Sequence, residues 1–285
     1  MKLVMTLLVR NSEELLRSNL EFHLGQGVDF FIITDNASVD ATADIIDDYV
    51  RAGRAEKIFE PEDTYSQARW VTRMARLAAV RHGADWVINN DDDEFWFAHE
   101  GGLKQVLAEV PQGTAALEVE RRNHPPQPGC DGPRPLEAMI YRERASFTPL
   151  GLSLPTKVCH RGFPDIDVAQ GNHAVGRSGR PLAASRTADI AIGHFPVRGY
   201  AAFARKIRLG GAAYARNTEL DETTGLTWRW LYELLNEGRL HAWYEEQVLS
   251  HDQVARGLAD GSLVRDETVA RVLARQSDAK CITAA

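Results

Sequence analysis

Cysteine is scarce in this sequence of 285 residues, which contains only Cys130, Cys159 and Cys281 and no C-x-x-C pair. Structural zinc sites and disulfide frameworks need closely spaced or paired cysteines, so the sequence predicts neither. Three scattered thiols are typical of a protein that folds in a reducing compartment.

Long hydrophobic runs are missing as well. The apolar segment near the start, Leu3–Val9, is much shorter than the roughly 20 residues that a membrane-spanning helix needs. The polar residues Asn11-Ser12-Glu13-Glu14 follow at once, so there is no signal-peptide cleavage site. The sequence therefore predicts a cytoplasmic protein with no membrane span.

Runs of lysine or arginine are also absent. The 33 basic residues are outnumbered by 40 acidic ones, which gives a formal net charge of −7. A protein that binds nucleic acid needs a basic stripe to follow the phosphates, and this sequence offers none. We therefore exclude nucleic acid as a partner.

The glycine-rich loops that most often bind nucleotides are not found. Neither the Rossmann G-x-G-x-x-G nor the P-loop G-x-x-x-x-G-K-[ST] occurs where it would need to be. A nucleotide bound by this chain would need a different set of contacts.

What the sequence does contain is a regular alternation of strand and helix patterns. Apolar strand-like runs alternate with amphipathic segments, and the alternation predicts an α/β fold with a parallel, doubly wound sheet. Asn11, with Glu14 three residues later, has the spacing of a capping box for the first helix. The predicted strands are 2–9, 29–34, 56–59 and 86–88, and the predicted helices begin near residues 11, 41 and 64.

A cluster of carboxylates follows the fourth strand. Asp91-Asp92-Asp93-Glu94 comes directly after the apolar run Trp86–Ile88 and directly before Phe95-Trp96-Phe97. Four adjacent like charges repel one another, and a divalent cation would offset that repulsion. Ligands of open α/β sheets bind outside the carboxyl ends of the strands, where this cluster falls. The pattern predicts a metal site with Asp91 and Asp93 as paired ligands. A solvated acidic turn that caps the next helix is the alternative.

The second half has weaker patterns. A helix is predicted after Gly102 and another over 199–214, and the last seventy residues alternate helical segments with acidic turns. Strands are predicted over 114–119, 156–160, 168–175 and 189–194.

Four ordered segments of the first half resemble glycosyltransferase family 2-like proteins and the related family 92. They are Leu8–Glu14 (LVRNSEE), Phe22–Asp29 (FHLGQGVD), Asp35–Thr42 (DNASVDAT) and Asp91–Phe95 (DDDEF). The family pattern is a [KR]NE helix start, an H-x-x-x-G-V-D segment, a D-N-x-S-x-D loop and a D-x-D-E-F turn. This sequence departs from it at Ser12, which stands where Asn-Glu is usual.

The resemblance implies a GT-A fold, Rossmann-like, with a mostly parallel sheet flanked by helices and a helical C-terminal extension. It implies a GT-A domain over 1–215, with a nucleotide-sugar half (1–100) and an acceptor half (101–215), and an extension over 216–285. The implied reaction transfers a sugar from a UDP- or GDP-sugar to a hydroxyl of a glycan, glycolipid or small molecule. Inversion at the anomeric carbon is the usual outcome, and Mn²⁺ or Mg²⁺ is the implied cofactor.

The resemblance also assigns residues on the donor side. It places Asp35 at the nucleotide base, with Arg10, Asn11 and Asn36 nearby, and it makes Asp91 a contact of the ribose and diphosphate. Asp93 becomes the more direct metal ligand.

Two histidines and two lysines of the second half join the predicted site. His173 and His194 end strand-like runs and are candidate metal ligands, although a strand-end histidine is more often a hydrogen-bonded structural residue. Lys157 and Lys206 are candidate contacts of the diphosphate, Lys206 because it begins the family's K-x-x-x-G segment.

The acceptor hydroxyl needs a base, and a carboxylate opposite the leaving group is the usual choice. We predict Asp165 or Asp167 for this role, with Glu118 and Glu120 as competitors.

Two other functions are compatible with the pattern. A catalytically inactive relative would bind a nucleotide sugar without turning it over. A nucleotidyltransferase or phosphohydrolase would use a similar sheet, but the glycine-rich loop of the first and the D-x-D-x-[TV] of the second are absent.

Overall fold

The computed structural model describes residues 1–64, 66–132, 134–221 and 223–283, with side chains described as far as residue 275. Five residues of the predicted GT-A domain and C-terminal extension lie outside the described residues: Tyr65, Pro133, Glu222, Ala284 and Ala285. The side chain of Cys281 is also outside them.

The first half of the chain alternates strands and helices as predicted. Its elements are β1 (Leu3–Val9), α1 (Leu16–Gly25), β2 (Phe30–Asp35), α2 (Thr42–Arg51), β3 (Ala55–Phe59), α3 (Gln67–Val80), β4 (Trp86–Asn90), β5 (Glu94–Ala98), α4 (Leu103–Glu109) and β6 (Ala116–Asn123).

The second half contains shorter strands and then helices. Its elements are α5 (Pro135–Ala138), β7 (Tyr141–Glu143), β8 (Lys157–Arg161), β9 (Ile166–Val168), a 3₁₀ turn (Gln170–Asn172), β10 (Val175–Arg177), β11 (Arg180–Pro181), β12 (Ser185–His194), α6 (Tyr200–Arg216), α7 (Leu226–Asn236), α8 (Leu240–Gln247), α9 (His251–Asp260), β13 (Leu263–Arg265) and α10 (Thr268–Thr283).

The main sheet has the strand order β3-β2-β1-β4-β8-β6-β12-β5. Strands β3, β2, β1 and β4 run parallel, and β8 pairs antiparallel with both β4 and β6. The predicted α/β class, with a GT-A-type parallel half and helices at the C-terminal end, is confirmed. The order also shows a reversal after β1, where β4 rather than β3 becomes its neighbour, and ligands of such sheets bind at that point.

Helices cover both faces of the parallel strands, which explains why β1, β2 and β4 are largely apolar, whereas the edge strand β3 contains Glu56 and Lys57. Successive side chains of a strand point to opposite faces. Leu3, Met5 and Leu7 of β1 pack in a cluster with residues of α1, α2 and α4, whereas Val4 packs with residues of α3.

Two local predictions were wrong, and one strand of the main sheet was not predicted. Asn11 does not cap α1, since its side-chain oxygen accepts a hydrogen bond from the Val39 N–H instead. The aromatic run after the acidic turn is strand β5. The predicted strand 168–175 is the hairpin of β9 and β10, because Gly171 and Asn172 both adopt positive φ and turn the chain.

The chain forms two compact units. Unit 1 comprises Met1–Glu62, Ser66–Arg121 and Pro155–Ile192, and unit 2 comprises Asp63–Tyr65, Arg122–Leu154 and Gly193–Ala285. Unit 2 has a core of its own, which includes Phe203, Ile207, Leu231 and Leu240. The division into donor half, acceptor half and extension concerns function and stays a prediction. Among the described residues, no helix is both long enough and apolar enough to cross a bilayer.

Candidate functional site

The loops after β1 and β2 are tied together by hydrogen bonds at one edge of the sheet. The Asn11 N–H donates to Ser38 Oγ (3.0 Å), and Asn11 Oδ1 accepts from the Val39 N–H (2.8 Å). Asn11 and Ala37 both have positive φ, the sharp backbone turn that brings the two loops into register. Because β1 and β2 are parallel, with Val9 opposite Asp35, their carboxyl ends lie side by side.

Asp35 and Asn36 are buried within these loops. Asp35 is 2% exposed, and its Oδ1 accepts from the Ser38 N–H (3.0 Å). Asn36 donates through Nδ2 to the carbonyl oxygens of Glu60 (3.0 Å) and Glu62 (2.6 Å). Both side chains therefore shape the loop itself. Their predicted contacts with the nucleotide, like those of Arg10 and Asn11, stay predictions.

The acidic turn after β4 is held by residues of α1 and the loop before it. Ser12 Oγ donates to the Asp92 carboxylate, and Asn19 Nδ2 donates to the carbonyl oxygens of Asp92 (3.0 Å) and Glu94 (2.9 Å). His23 Nε2 accepts from the Trp96 N–H (3.0 Å), and burial lowers the pKa of His23 to about 3, so the ring is neutral. These contacts explain why the buried positions 19 and 23 of α1 are occupied by polar residues.

A lysine ammonium lies inside the carboxylate cluster. Lys157 Nζ is 2.5 Å from Asp91 Oδ2 and 3.1 Å from Glu94 Oε1, and the lysine side chain is 1% exposed. The antiparallel register of β4 and β8 pairs Ile88 with Cys159, which puts the start of β8 beside the carboxyl end of β4. The sheet thus brings together two of the predicted site residues, Asp91 and Lys157.

Glu94 is the most buried carboxylate of the turn. Its Oε1 also lies 3.3 Å from Arg121 Nη1, and its Oε2 has no hydrogen-bond partner among the described residues. The pKa of Glu94 is raised to about 7, chiefly by burial; the charges of Lys157 and Arg121 oppose the rise, and those of Asp91 and Asp93 add to it. Glu94 consequently exchanges a proton near neutral pH.

Asp91 accepts two further hydrogen bonds through its other oxygen. Gln67 Nε2 and Asn172 Nδ2 both lie 3.4 Å from Asp91 Oδ1. Asn172 is 1% exposed, and its own Oδ1 is buried and has no hydrogen-bond partner among the described residues. Three elements of unit 1 thus donate to a single carboxylate.

His173 belongs to the same region of unit 1. Its Nδ1 is 2.7 Å from the Thr156 carbonyl oxygen, which fixes the proton on Nδ1 and leaves Nε2 as an acceptor. Burial and the charges of Lys157 and Arg121 lower the pKa of His173 to about 4. A Cβ on Gly171 would lie 2.6 Å from His173 Nε2, so a glycine is needed there.

The residues of the turn do not form a ready metal site. Among the described residues, no group of three His, Cys, Asp or Glu side chains could hold a metal ion. Both oxygens of Asp91 accept from protein donors, and Asp93 is 4% exposed. While Lys157 is paired with Asp91, the residues of the turn therefore do not fit a divalent cation. Binding of Mn²⁺ or Mg²⁺ stays a prediction.

Two of the predicted site residues belong to unit 2. His194 ends β12, and its Nδ1 is 2.7 Å from Asn123 Oδ1. Lys206 lies on α6 with its ammonium 5.5 Å from the centroid of the Trp228 ring. Their roles in metal and donor binding stay predictions.

The two predicted bases lie in the β9–β10 hairpin and are engaged by arginines. Asp165 accepts from Arg177 Nε (2.9 Å) and Ser178 Oγ (2.8 Å), and the Arg177 hydrogen bond holds the pKa of Asp165 below its usual value. Asp167 pairs with Arg76. A carboxylate with a lowered pKa is a weak proton acceptor. The geometry thus gives no support to Asp165, and the identity of the base stays a prediction.

Several residues of the site escaped sequence reasoning. Gln67, Asn172 and Arg121 contact the carboxylates of the turn, and Asn19 holds its backbone. The signal available for Asn172 was its place between Gly171 and His173, but no sequence pattern distinguishes Gln67 or Arg121.

The matched family is described as Glycosyltransferase family 92, and its model covers residues 5–134. This segment contains all three loops at the carboxyl edge of β1, β2 and β4. The chain is a relative of glycosyltransferase family 92. The predicted resemblance, and with it the prediction of a glycosyltransferase, is confirmed.

Solved structures give a more distant likeness. The crystal structure of S. aureus TarS 1-349 is 15% identical with a TM-score of 0.45, over 78% of this chain and 67% of that one. The same TarS segment in complex with UDP-GlcNAc is 16% identical with a TM-score of 0.45, over 78% and 68%. At this TM-score the likeness assigns neither site nor ligand. No curated protein matches the chain in sequence.

Proposed function

We propose that the protein transfers a sugar from a nucleoside-diphosphate donor to an acceptor hydroxyl, in the synthesis of a polysaccharide or glycoconjugate. The observation that carries the proposal is the location of the acidic turn. It follows β4 at the reversal of the sheet, beside the loop of β1, inside the segment that matches family 92.

The donor fits this edge by its chemistry. We assign the diphosphate to the turn at Asp91–Asp93, after β4, and the base to the loop of Asp35 and Asn36, which follows β2 on the other side of β1. In the reaction an acceptor oxygen attacks the anomeric carbon, the bond to the diphosphate breaks, and inversion is the predicted outcome.

The developing negative charge on the leaving diphosphate needs compensation. Lys157 and Arg121 place two positive charges beneath the turn, 3.1 Å and 3.3 Å from Glu94 Oε1. Their buried position gives them a stronger field than surface charges have, because water screens them less.

The test is a calorimetric titration of UDP and GDP into the wild type and Asp93→Ala, each with and without Mn²⁺. We expect one nucleotide to bind and its affinity to fall at least tenfold in Asp93→Ala. Asp48→Asn, which removes an exposed carboxylate paired with Arg17, is the matched control and should bind like the wild type. Failure of all nucleoside diphosphates to bind would contradict the proposal.

An inactive relative would give the same binding result. Release of the nucleotide from a UDP- or GDP-sugar, measured with acceptor mixtures, separates the two, since only a transferase turns the donor over. The cytoplasmic location also stays a prediction.

A further inference from the structure

The acidic turn already contains a cation, and it belongs to the chain. Lys157 Nζ lies between two carboxylate oxygens, at 2.5 Å from Asp91 and 3.1 Å from Glu94. The lysine side chain is 1% exposed and that of Glu94 is 0% exposed. Burial of this kind is costly for a lysine unless its charge is compensated, and here both neighbours compensate it.

The surrounding polar atoms are arranged for a positive charge. Glu94 Oε2 and Asn172 Oδ1 are buried oxygen atoms that have no hydrogen-bond partner in the part of the chain that the structure describes, and Asn172 contacts Asp91 through its amide. Carboxylate and amide oxygens are the groups that coordinate hard divalent cations. The turn thus has the chemistry of a cation site, with an ammonium in the position next to Asp91.

We propose that the Lys157 ammonium takes the place of a divalent cation at Asp91 in the protein without nucleotide. Asp91 is then a positioning residue for Lys157. A divalent ion can reach Asp91 only by displacing the lysine, which would leave that lysine buried and unpaired. The protein alone should therefore bind Mn²⁺ weakly or not at all.

Another lysine–carboxylate pair of unit 1 provides the contrast. Lys104 Nζ is 2.6 Å from Asp29 Oδ1, but the side chains are 39% and 32% exposed. Removal of this lysine uncovers one solvated carboxylate, which holds divalent ions poorly. Removal of Lys157 uncovers two carboxylates together: Asp91, whose side chain is 31% exposed, and Glu94, which is fully buried.

The experiment is a titration of Mn²⁺ into the protein in the absence of nucleotide, followed by the electron paramagnetic resonance signal of unbound Mn²⁺. Lys157→Met should bind one Mn²⁺ at least tenfold more tightly than the wild type. Lys104→Met should match the wild type. Asp91→Asn/Lys157→Met should lose the gained affinity, which would assign the new site to Asp91.

Folding of each variant is checked by circular dichroism. If Lys157→Met fails to fold, Lys157→Gln, which removes the charge but keeps a hydrogen-bond donor beside the two carboxylates, is titrated instead, and the same tenfold gain over the wild type is expected. Tight binding of Mn²⁺ by the wild type alone, or no gain when the lysine is removed, would overturn the proposal. It concerns the same turn as the proposed function but requires no nucleotide, so a failed UDP titration leaves its outcome unaffected.

Discussion

Unit 1 contains two groups of carboxylates in very different surroundings. In the acidic turn, Asp91 and Glu94 contact Lys157, whose side chain is 1% exposed. In the β9–β10 hairpin, Asp165 and Asp167 pair with arginines whose side chains are 42% and 45% exposed. Both groups are clusters of acidic residues in the sequence, and only the structure separates them.

The two groups differ in how strongly water screens their charges. Water screens the hairpin pairs, which therefore contribute little to stability. In the turn, Lys157 and Glu94 are shielded from water, so each of these two charges depends on its protein partners and the loss of a partner is costly. Buried charges that depend on one another are typical of functional sites, and this favours the turn as the centre of the site.

The largest expected effect on stability is that of Lys157→Met. It leaves Asp91 and Glu94 without their shared cation, and breaking a buried pair costs on the order of 4 kcal/mol. The free energy of unfolding, measured by urea denaturation, should fall by about that amount. Lys104→Met should change it by less than about 1 kcal/mol. Equal effects of the two variants would show that the turn is as well hydrated as the surface.

The pH dependence of stability should also separate the two groups. The pKa of Glu94 is raised to about 7 from an ordinary 4.5, so the folded state binds the extra proton between these values. The free energy of unfolding should therefore fall as the pH rises from about 4.5 through 7, by at most about 3 kcal/mol.

Glu94→Gln should remove that component. Relative to the wild type, its free energy of unfolding should increase between pH 5 and pH 8. For Asp165 the pKa is lowered, so its contribution is lost only in acid below an ordinary 3.8, and Asp165→Asn should differ from the wild type by a constant over the same range. If the free energies of unfolding of Glu94→Gln and the wild type differed by the same amount at every pH, the raised pKa of Glu94 would be contradicted.

Asn19→Ala should have an intermediate effect. It removes the amide that donates to the Asp92 and Glu94 carbonyl oxygens, and a buried acceptor left unpaired costs about 2 kcal/mol. Because the backbone of the turn then loosens, UDP affinity should fall as well. Unchanged affinity with lowered stability would mean that the anchoring of the turn by α1 serves the fold alone.

The smallest effects are expected in the hairpin. Asp165→Asn and Asp167→Asn break solvated ion pairs, so each should lower the free energy of unfolding by less than Asn19→Ala does. We expect turnover of Asp165→Asn within about threefold of the wild type. A fall of about 100-fold in either variant would instead confirm that carboxylate as the base.

The sequence was sufficient for the parallel half of the fold. Strands β1, β2 and β4 begin as apolar runs and alternate with amphipathic helices, so both the class and the location of the acidic turn followed from local patterns. The loops after β1 and β2 were placed beside it for the same reason, since the carboxyl ends of parallel strands share one edge.

Pairings over long separations could not be predicted. Lys157 meets Asp91 across 66 positions, and Asn172 meets it across 81. The register of an antiparallel strand pair and the left-handed turn at Gly171 and Asn172 decide these contacts, and neither is a local property of the sequence. Strand β5 was missed because Glu94, its first residue, is a charged side chain that is fully buried.

The measurement that tests the account most directly is a side-by-side titration of the bound nucleotide, UDP or GDP, into Asp93→Asn and Asp165→Asn. The account predicts at least tenfold weaker binding in Asp93→Asn and wild-type affinity in Asp165→Asn. Wild-type affinity in Asp93→Asn, or equal losses in both variants, would contradict a donor site at the acidic turn.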